Sequence, residues 1–301
     1  MNVGGPVTAA RTVRGATARR GESGFRRTPV PDPGGDFILH AVSEPFAVGA
    51  TSGGPLVLAW NGTTWAPEAL PERDPALHGA VLTAVRGDVA VGGAFDRLRL
   101  AEIPLLLRRS ALSEIPVAPR DASVVAWHDD GAPELGFPYV LTGVSGPWAV
   151  GHGFPGSVVL RHDGAVWKPV PVPGRPVRPR AVAATSGGLL VAGAHDKEGV
   201  ILHLDGSAWR QWRTRTGPVT SLALWRGGAW AASGDELLHW NGRRWAHRAA
   251  PLRINALSVG HAGLQCAGAG RVAVFDGRRW TVRDLPGTWL GADTDWFVGT
   301  A

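Results

Sequence analysis

Cysteine, methionine and tyrosine each occur once in the 301 residues, and lysine is scarce beside arginine. With Cys266 alone, no internal disulfide can staple the fold, and nothing in it depends on an oxidising compartment. No stretch approaches the ~18 apolar residues of a membrane span. Residues 1–33 are Arg-rich and lack the apolar run of a secretory signal. These absences predict a soluble, cytoplasmic chain without membrane contact. Also missing are a phosphate-binding Gly loop, a Gly-x-Ser-x-Gly elbow, a Cys-rich metal set and a dinucleotide fingerprint, so neither cofactor nor metal is expected. Basic residues (31 against 25 acidic, net +6) are scattered along the chain, and no nucleic-acid partner is expected.

What the chain does have is glycine (42), proline (24) and tryptophan (14). With 44% hydrophobic residues, this composition suits an all-β protein of many short strands and turns. A repeat runs through it. Five Asx-Gly turns are each followed by a Trp three residues after the Gly: Asn61-Gly62 with Trp65, Asp163-Gly164 with Trp167, Asp205-Gly206 with Trp209, Asn241-Gly242 with Trp245, and Asp276-Gly277 with Trp280. Asn-Gly and Asp-Gly suit type I′ hairpins, and each Trp is placed to fill the wedge between neighbouring sheets.

A second marker is a strand ending in small residues, as in Ala47-Val48-Gly49. It recurs around Val91, Val150, Ala192, Ala232, Ala267 and Val298, at separations of 43, 59, 42, 40, 35 and 31. Seven copies at this spacing predict one β-propeller over residues 1–301, with seven four-stranded blades. The seventh copy stops after half a blade, and the N-terminal segment supplies the missing strands: a strand at 11–14, then residues 24–27, with Phe25 in the Trp position. A last blade closed by N- and C-terminal strands leaves no open sheet edge.

These hairpins resemble those of the Trp-rich propellers common in actinobacteria. They are similar to the Asp-box of sialidase-type propellers but keep Asp and Gly adjacent, so the sialidase nucleophile and Arg triad have no counterpart here. The WD40 signature is absent. In architecture, composition and the lack of other domains, the chain also resembles the propeller-fold cyclases of tetronate polyether polyketide biosynthesis. That resemblance implies a cofactor-independent cyclase that folds a polyketide substrate in an apolar pocket, where positioning supplies much of the barrier reduction.

Two long segments are expected on the face formed by the loops between second and third strands and by the connections between blades. They are an expanded loop, Gly93 to Pro104, and an insertion, Pro119 to Pro138. There Phe95, Trp127, Phe137 and Phe154 would shape a pocket and Arg97, Arg180 and His195 would contact the substrate. His128, Asp129, Tyr139 and His152 are the catalytic candidates. His128-Asp129-Asp130 reads either as a base with its orienting carboxylate or as a polar turn. His152 and His195 occupy matching loop positions in consecutive blades, facing one ligand or solvent. The alternative function is a monomeric, non-catalytic propeller binding a protein or small ligand on this face.

Overall fold

A computed structural model describes residues 14–21, 24–72, 74–111, 125–154 and 156–300. Every regular element among them is a strand, and no helix among them is long and apolar enough to cross a membrane. The N-terminal strands are β1 (Gly15–Gly21) and β2 (Gly24–Thr28). Four antiparallel meanders follow. The first contains β3 (Phe37–Ser43), β4 (Phe46–Thr51), β5 (Gly54–Trp60) and β6 (Trp65–Pro67). The second contains β7 (Leu77–Arg86), β8 (Val89–Asp96), β9 (Ala101–Ala111) and β10 (Val125–Asp129). The third contains β11 (Tyr139–Ser145), β12 (Trp148–Gly153), β13 (Ser157–His162) and β14 (Trp167–Pro169). The fourth contains β15 (Arg178–Thr185), β16 (Gly188–His195), β17 (Glu198–Asp205) and β18 (Ala208–Arg213). A fifth sheet has β19 (Ser221–Trp225), a long β20 (Gly228–Trp240) and β21 (Trp245–Ile254).

The remaining strands are β22 (Ala256–Gly260), β23 (Gly263–Ala267), β24 (Ala269–Phe275), β25 (Trp280–Asp293) and β26 (Trp296–Thr300). They join the N-terminal pair in one closing sheet of order β2-β1-β26-β25-β24-β23-β22. β26 pairs antiparallel with β1, from Gly15 opposite Thr300 to Arg19 opposite Trp296. The chain ends thus share a ladder, and the sheets form a β-propeller. The described N-terminal strand begins at Gly15; of the expected strand at 11–14, residues 11–13 lie outside the described residues. Small side chains make β1 suitable: Ala16, Thr17 and Ala18 are buried and the two alanines pack near Trp289 and Phe297. Phe25, on outermost β2, meets Phe297 edge-on at 5.1 Å.

Each small-residue marker lies on, or at the end of, the second strand of its repeat, and the pairing explains the glycine. A β-bulge interrupts the first strand opposite it in five repeats, for example between Leu39 and Ala41. The bulge drives a first-strand carbonyl toward the second strand. A Cβ on Gly49, Gly92 or Gly151 would stand 1.9 Å from the carbonyl oxygen of Ile38, Val81 or Val140. No side chain fits there.

The hairpins differ from type I′. In all five only the glycine has positive φ (Gly62, Gly164, Gly206, Gly242 and Gly277), and four of them share a further feature. The preceding Asn or Asp instead turns its side-chain oxygen onto two backbone N–H groups: Asn61 onto Thr63 and Thr64, Asp163 onto Ala165 and Val166, with Asn241 and Asp276 alike. This Asx arrangement needs a short acceptor and one glycine. Trp65 and Trp167 are buried, whereas Trp209, Trp245 and Trp280 are half-buried.

The first expected long loop is largely strand, and the second contains one. β8 and β9 stay paired from Gly93 opposite Pro104 to Asp96 opposite Ala101, leaving only Arg97–Leu100 as a turn. Asp96 closes that turn by accepting from the Leu98 and Arg99 N–H groups. Within the expected insertion, Val125–Asp129 is β10, the outermost strand of the second blade; 119–124 lie outside the described residues, and 130–138 are the connection. Trp127 takes the hairpin-Trp place in β10 without an Asx-Gly turn ahead of it, so its strand carried no marker.

Candidate functional site at the channel mouth

Seven strands, β3, β7, β11, β15, β19, β22 and β25, line a central channel with a cavity of about 350 Å³. That lies within the usual range of small-molecule pockets. The bulges decide what faces it. His40, Thr83, Thr142, Arg180 and Leu290 are the residues that the five bulges leave out of the ladder, and each lines the channel. Thr220 and Asn255, which directly precede β19 and β22 and donate backbone N–H groups to Ala232 and Ala267, complete a ring with one residue on or just ahead of each lining strand.

The threonines also tie neighbours together. Thr83 Oγ1 donates to the Leu141 carbonyl at 3.0 Å and Thr142 Oγ1 to the Pro179 carbonyl at 2.9 Å, each the residue before the next ring member. Toward the other end of the lining strands, Arg86 and Asp293 form an ion pair at 2.7 Å.

Within the ring only His40 and Arg180 are ionisable. Burial pushes the His40 imidazole below its usual value, which leaves it neutral near pH 7. Arg180 is exposed and forms no ion pair among the described residues. The Arg180 charge reaches His152, on β12. Burial holds the His152 pKa down, and the charges of Arg178 and Arg180 add to that, against an opposing pull from Glu102. Its Nδ1 is buried and has no hydrogen-bond partner.

Of the expected site residues, Arg180 alone lines the channel cavity, and its charge reaches His152 on β12. The others do not join them. His128 and Asp129 are on β10, three strands out from channel-lining β7, or roughly 14 Å at ordinary strand spacing. Asp129 accepts from the Gly131 N–H, which is the polar-turn reading of that sequence. Tyr139 is 3% exposed in the core between the second and third blades, and its hydroxyl donates to the Pro133 carbonyl at 2.6 Å. Burial raises its pKa, so the hydroxyl is a fixed strut.

Trp127 is likewise 3% exposed and donates to Glu68 at 2.9 Å; it is core, not pocket wall. Phe137 meets Tyr139 edge-on at 6.3 Å. Phe95 and Phe154 expose much of their rings, and Arg97 lies on the exposed turn between β8 and β9. His195 holds the Pro176 carbonyl through Nδ1 at 2.7 Å. It does not match His152: it sits two residues after Gly193, whereas His152 sits one after Gly151, so the pleat turns the two to opposite faces.

The sequence reading missed His40 and the polar ring. Its signal is positional. Ring residues precede the last marker residue by nine in four repeats (His40 and Gly49, for instance) and by thirteen in three (Arg180 and Gly193). Cys266 is buried with its thiol pushed up to about 12 by burial, so it is no nucleophile at neutral pH. Among the described residues, no group of three or more His, Cys, Asp and Glu is placed to hold a metal ion.

No protein-family model matches the chain, and no curated protein does. Among solved structures it is similar to apo AztD from Citrobacter koseri, with 12% identity over 96% of this chain and 99% of that one, at a TM-score of 0.47. It is also similar to YCF48 from Cyanidioschyzon merolae, with 18% identity over 85% and 73% of the two chains, at a TM-score of 0.37.

Proposed function

We propose that the protein is a seven-bladed, small-ligand-binding propeller whose site is the channel mouth at the polar ring. Its ligand is a small carboxylate or enolate on an apolar skeleton. The count of seven rests on packing. The closing sheet counts as two blades joined through β25, which pairs with β24 at Trp280–Asp284 and Thr288 and with β26 through Thr288–Asp293. A buried cluster of Ala267, Val272, Leu285, Trp289 and Phe297 draws on both halves of that sheet, and a sheet can pack against itself only if it folds there. Each blade then contributes one channel strand.

The observation that carries the ligand class is Arg180, a guanidinium lining the channel that forms no ion pair among the described residues. Planar guanidinium groups bind carboxylates through paired, charge-assisted hydrogen bonds.

A cyclase would use the same place. The depressed pKa of His152 supports this second reading, since a neutral imidazole can take a proton from an acidic position of a bound polyketide and later return it. The enolate so formed would lie against Arg180. On this reading His152 acts without His128, Asp129 or Tyr139.

Calorimetric titration with tetronic acid and with butyrate tests the binding proposal. Wild-type protein should bind both, and Arg180→Met should weaken binding about tenfold or more, the loss expected for one hydrogen bond to a charged group. Equal affinity in the variant would place the site elsewhere. Ring closure of a linear tetronate precursor that disappears in His152→Gln while binding persists would favour the cyclase.

A further inference from the structure

The fifth blade carries a second concave site, at the opposite end of the strands from the bulge ring. A groove of about 590 Å³ runs between this blade and the closing sheet. Its walls are aromatic. Trp225 meets Phe275 edge-on at 5.6 Å, Phe275 stacks on Trp280 at 5.1 Å, and Trp230 lies 6.0 Å from Phe275. These rings come from the turn between β19 and β20 and from the β24–β25 hairpin, which antiparallel pairing brings to one end of the propeller.

The charges in the groove are of one sign. Arg226 and Arg248 line it, no carboxylate does, and neither guanidinium forms an ion pair among the described residues. The nearest hairpin acid, Asp276, has its Oδ1 committed to the Arg278 and Arg279 N–H groups. Arg226 is also held in place. Its guanidinium lies over the Trp225 ring at 4.7 Å, and a Cβ on Gly277 would fall 2.3 Å from its Nη1, so the hairpin glycine leaves room for it. The Arg226 backbone adopts φ +50° to reach this position, which a non-glycine residue rarely takes. His239, whose ring lies 4.3 Å from Trp230, is kept neutral mainly by burial and secondarily by the Arg248 charge.

We infer that this groove binds a planar aromatic anion, an arene carboxylate or sulfonate, whose ring enters the aromatic slot while its acid group meets Arg226 and Arg248. Aromatic walls supply apolar area and preferred edge or offset-stacked contacts, and two unpaired guanidinium groups supply the charge complement. A neutral arene satisfies only the first and a small inorganic anion only the second.

Tryptophan fluorescence with 2-naphthalenesulfonate tests this, alongside the neutral isostere 2-naphthylmethanol and the sugar acid glucuronate. The sulfonate should quench saturably, and the neutral compound should bind about tenfold more weakly, as expected for losing one charge-assisted bond. Arg226→Gln with Arg248→Gln, both at exposed positions, should weaken the sulfonate by at least the same factor. Arg180→Met should leave it unchanged, which separates this groove from the channel. The proposal is overturned if the neutral isostere binds wild type as tightly as the sulfonate, or if the double variant retains full affinity. Tighter binding of glucuronate would overturn it in favour of a saccharide site.

Discussion

Trp167 and Asp130 are joined across a blade boundary: the indole N–H at the start of β14 donates to Asp130 Oδ2 at 2.7 Å, just beyond the last strand of the preceding blade. Arg108 holds the same carboxylate from β9, through Nε at 2.9 Å and Nη2 at 2.8 Å. The arrangement repeats one blade earlier, where Trp127 donates to Glu68 and Arg109 grips Glu68 with two bonds. One blade later Trp209 donates to the Pro171 carbonyl at 3.0 Å. In these three blades the outer-strand Trp is both filler and latch, whereas the Trp65 and Trp245 indole N–H groups have no hydrogen-bond partner among the described residues.

Replacing Trp167 by Ala should cost about 3–5 kcal/mol through the cavity it leaves. Asp130→Ala, which strands the indole donor and frees Arg108, should cost about 1–3 kcal/mol. Because the two groups touch, the double variant should be less destabilised than the sum. Urea midpoints of the three variants check this, and strict additivity would show that the latch is not energetically coupled.

Deleting residues 1–33 should convert a protected ladder into an open edge. β26 would lose its partner β1, and Phe297 and Trp289, fully buried beside it, would lose the cover of Ala16 and Ala18. Unpaired edges with apolar neighbours associate. Light scattering at micromolar concentration should report aggregates. A truncated protein that stays monomeric with an unchanged melting temperature would contradict this account of closure.

Stability should fall as the pH drops below about 6.5. His40, His152 and His239 all have folded-state pKa values below 6.5, each mainly through burial. Between those values and 6.5 the unfolded chain binds more protons than the folded one, so unfolding is favoured as pH decreases and stability is complete above that window. Urea midpoints at pH 7.5 and 5.0 should differ in that direction, and a His40→Gln, His152→Gln variant should show a smaller difference. An identical difference in variant and wild type would assign the effect to other groups.

Much of the fold could be read from local chemistry. Asx-Gly turns and the Trp after them recur because each hairpin needs one short acceptor, one positive-φ glycine and one large ring, all within six residues of chain. Ala47-Val48-Gly49 and the copies that end in glycine recur because a carbonyl of the adjacent strand leaves no room for a Cβ. Closure through β1 followed from a half-repeat that would otherwise end in an open edge. The channel mouth was harder to read. Whether His128 reaches a ligand depends on β10 being the fourth strand from the axis, which no nearby residue announces, since Trp127 lacks the turn that marks its counterparts. Whether His152 and His195 share a face depends on a one-residue difference after the glycine, and a pleated strand converts that into opposite directions. His40 and Arg180 face the channel only because a bulge frees them from the ladder, and that is decided by pairing with residues nine or thirteen positions away. Sequence alone determined the repeat and the demand for glycine, because those constraints act within a hairpin. Tertiary structure decided which polar groups meet, because seven distant strands must converge before the channel exists.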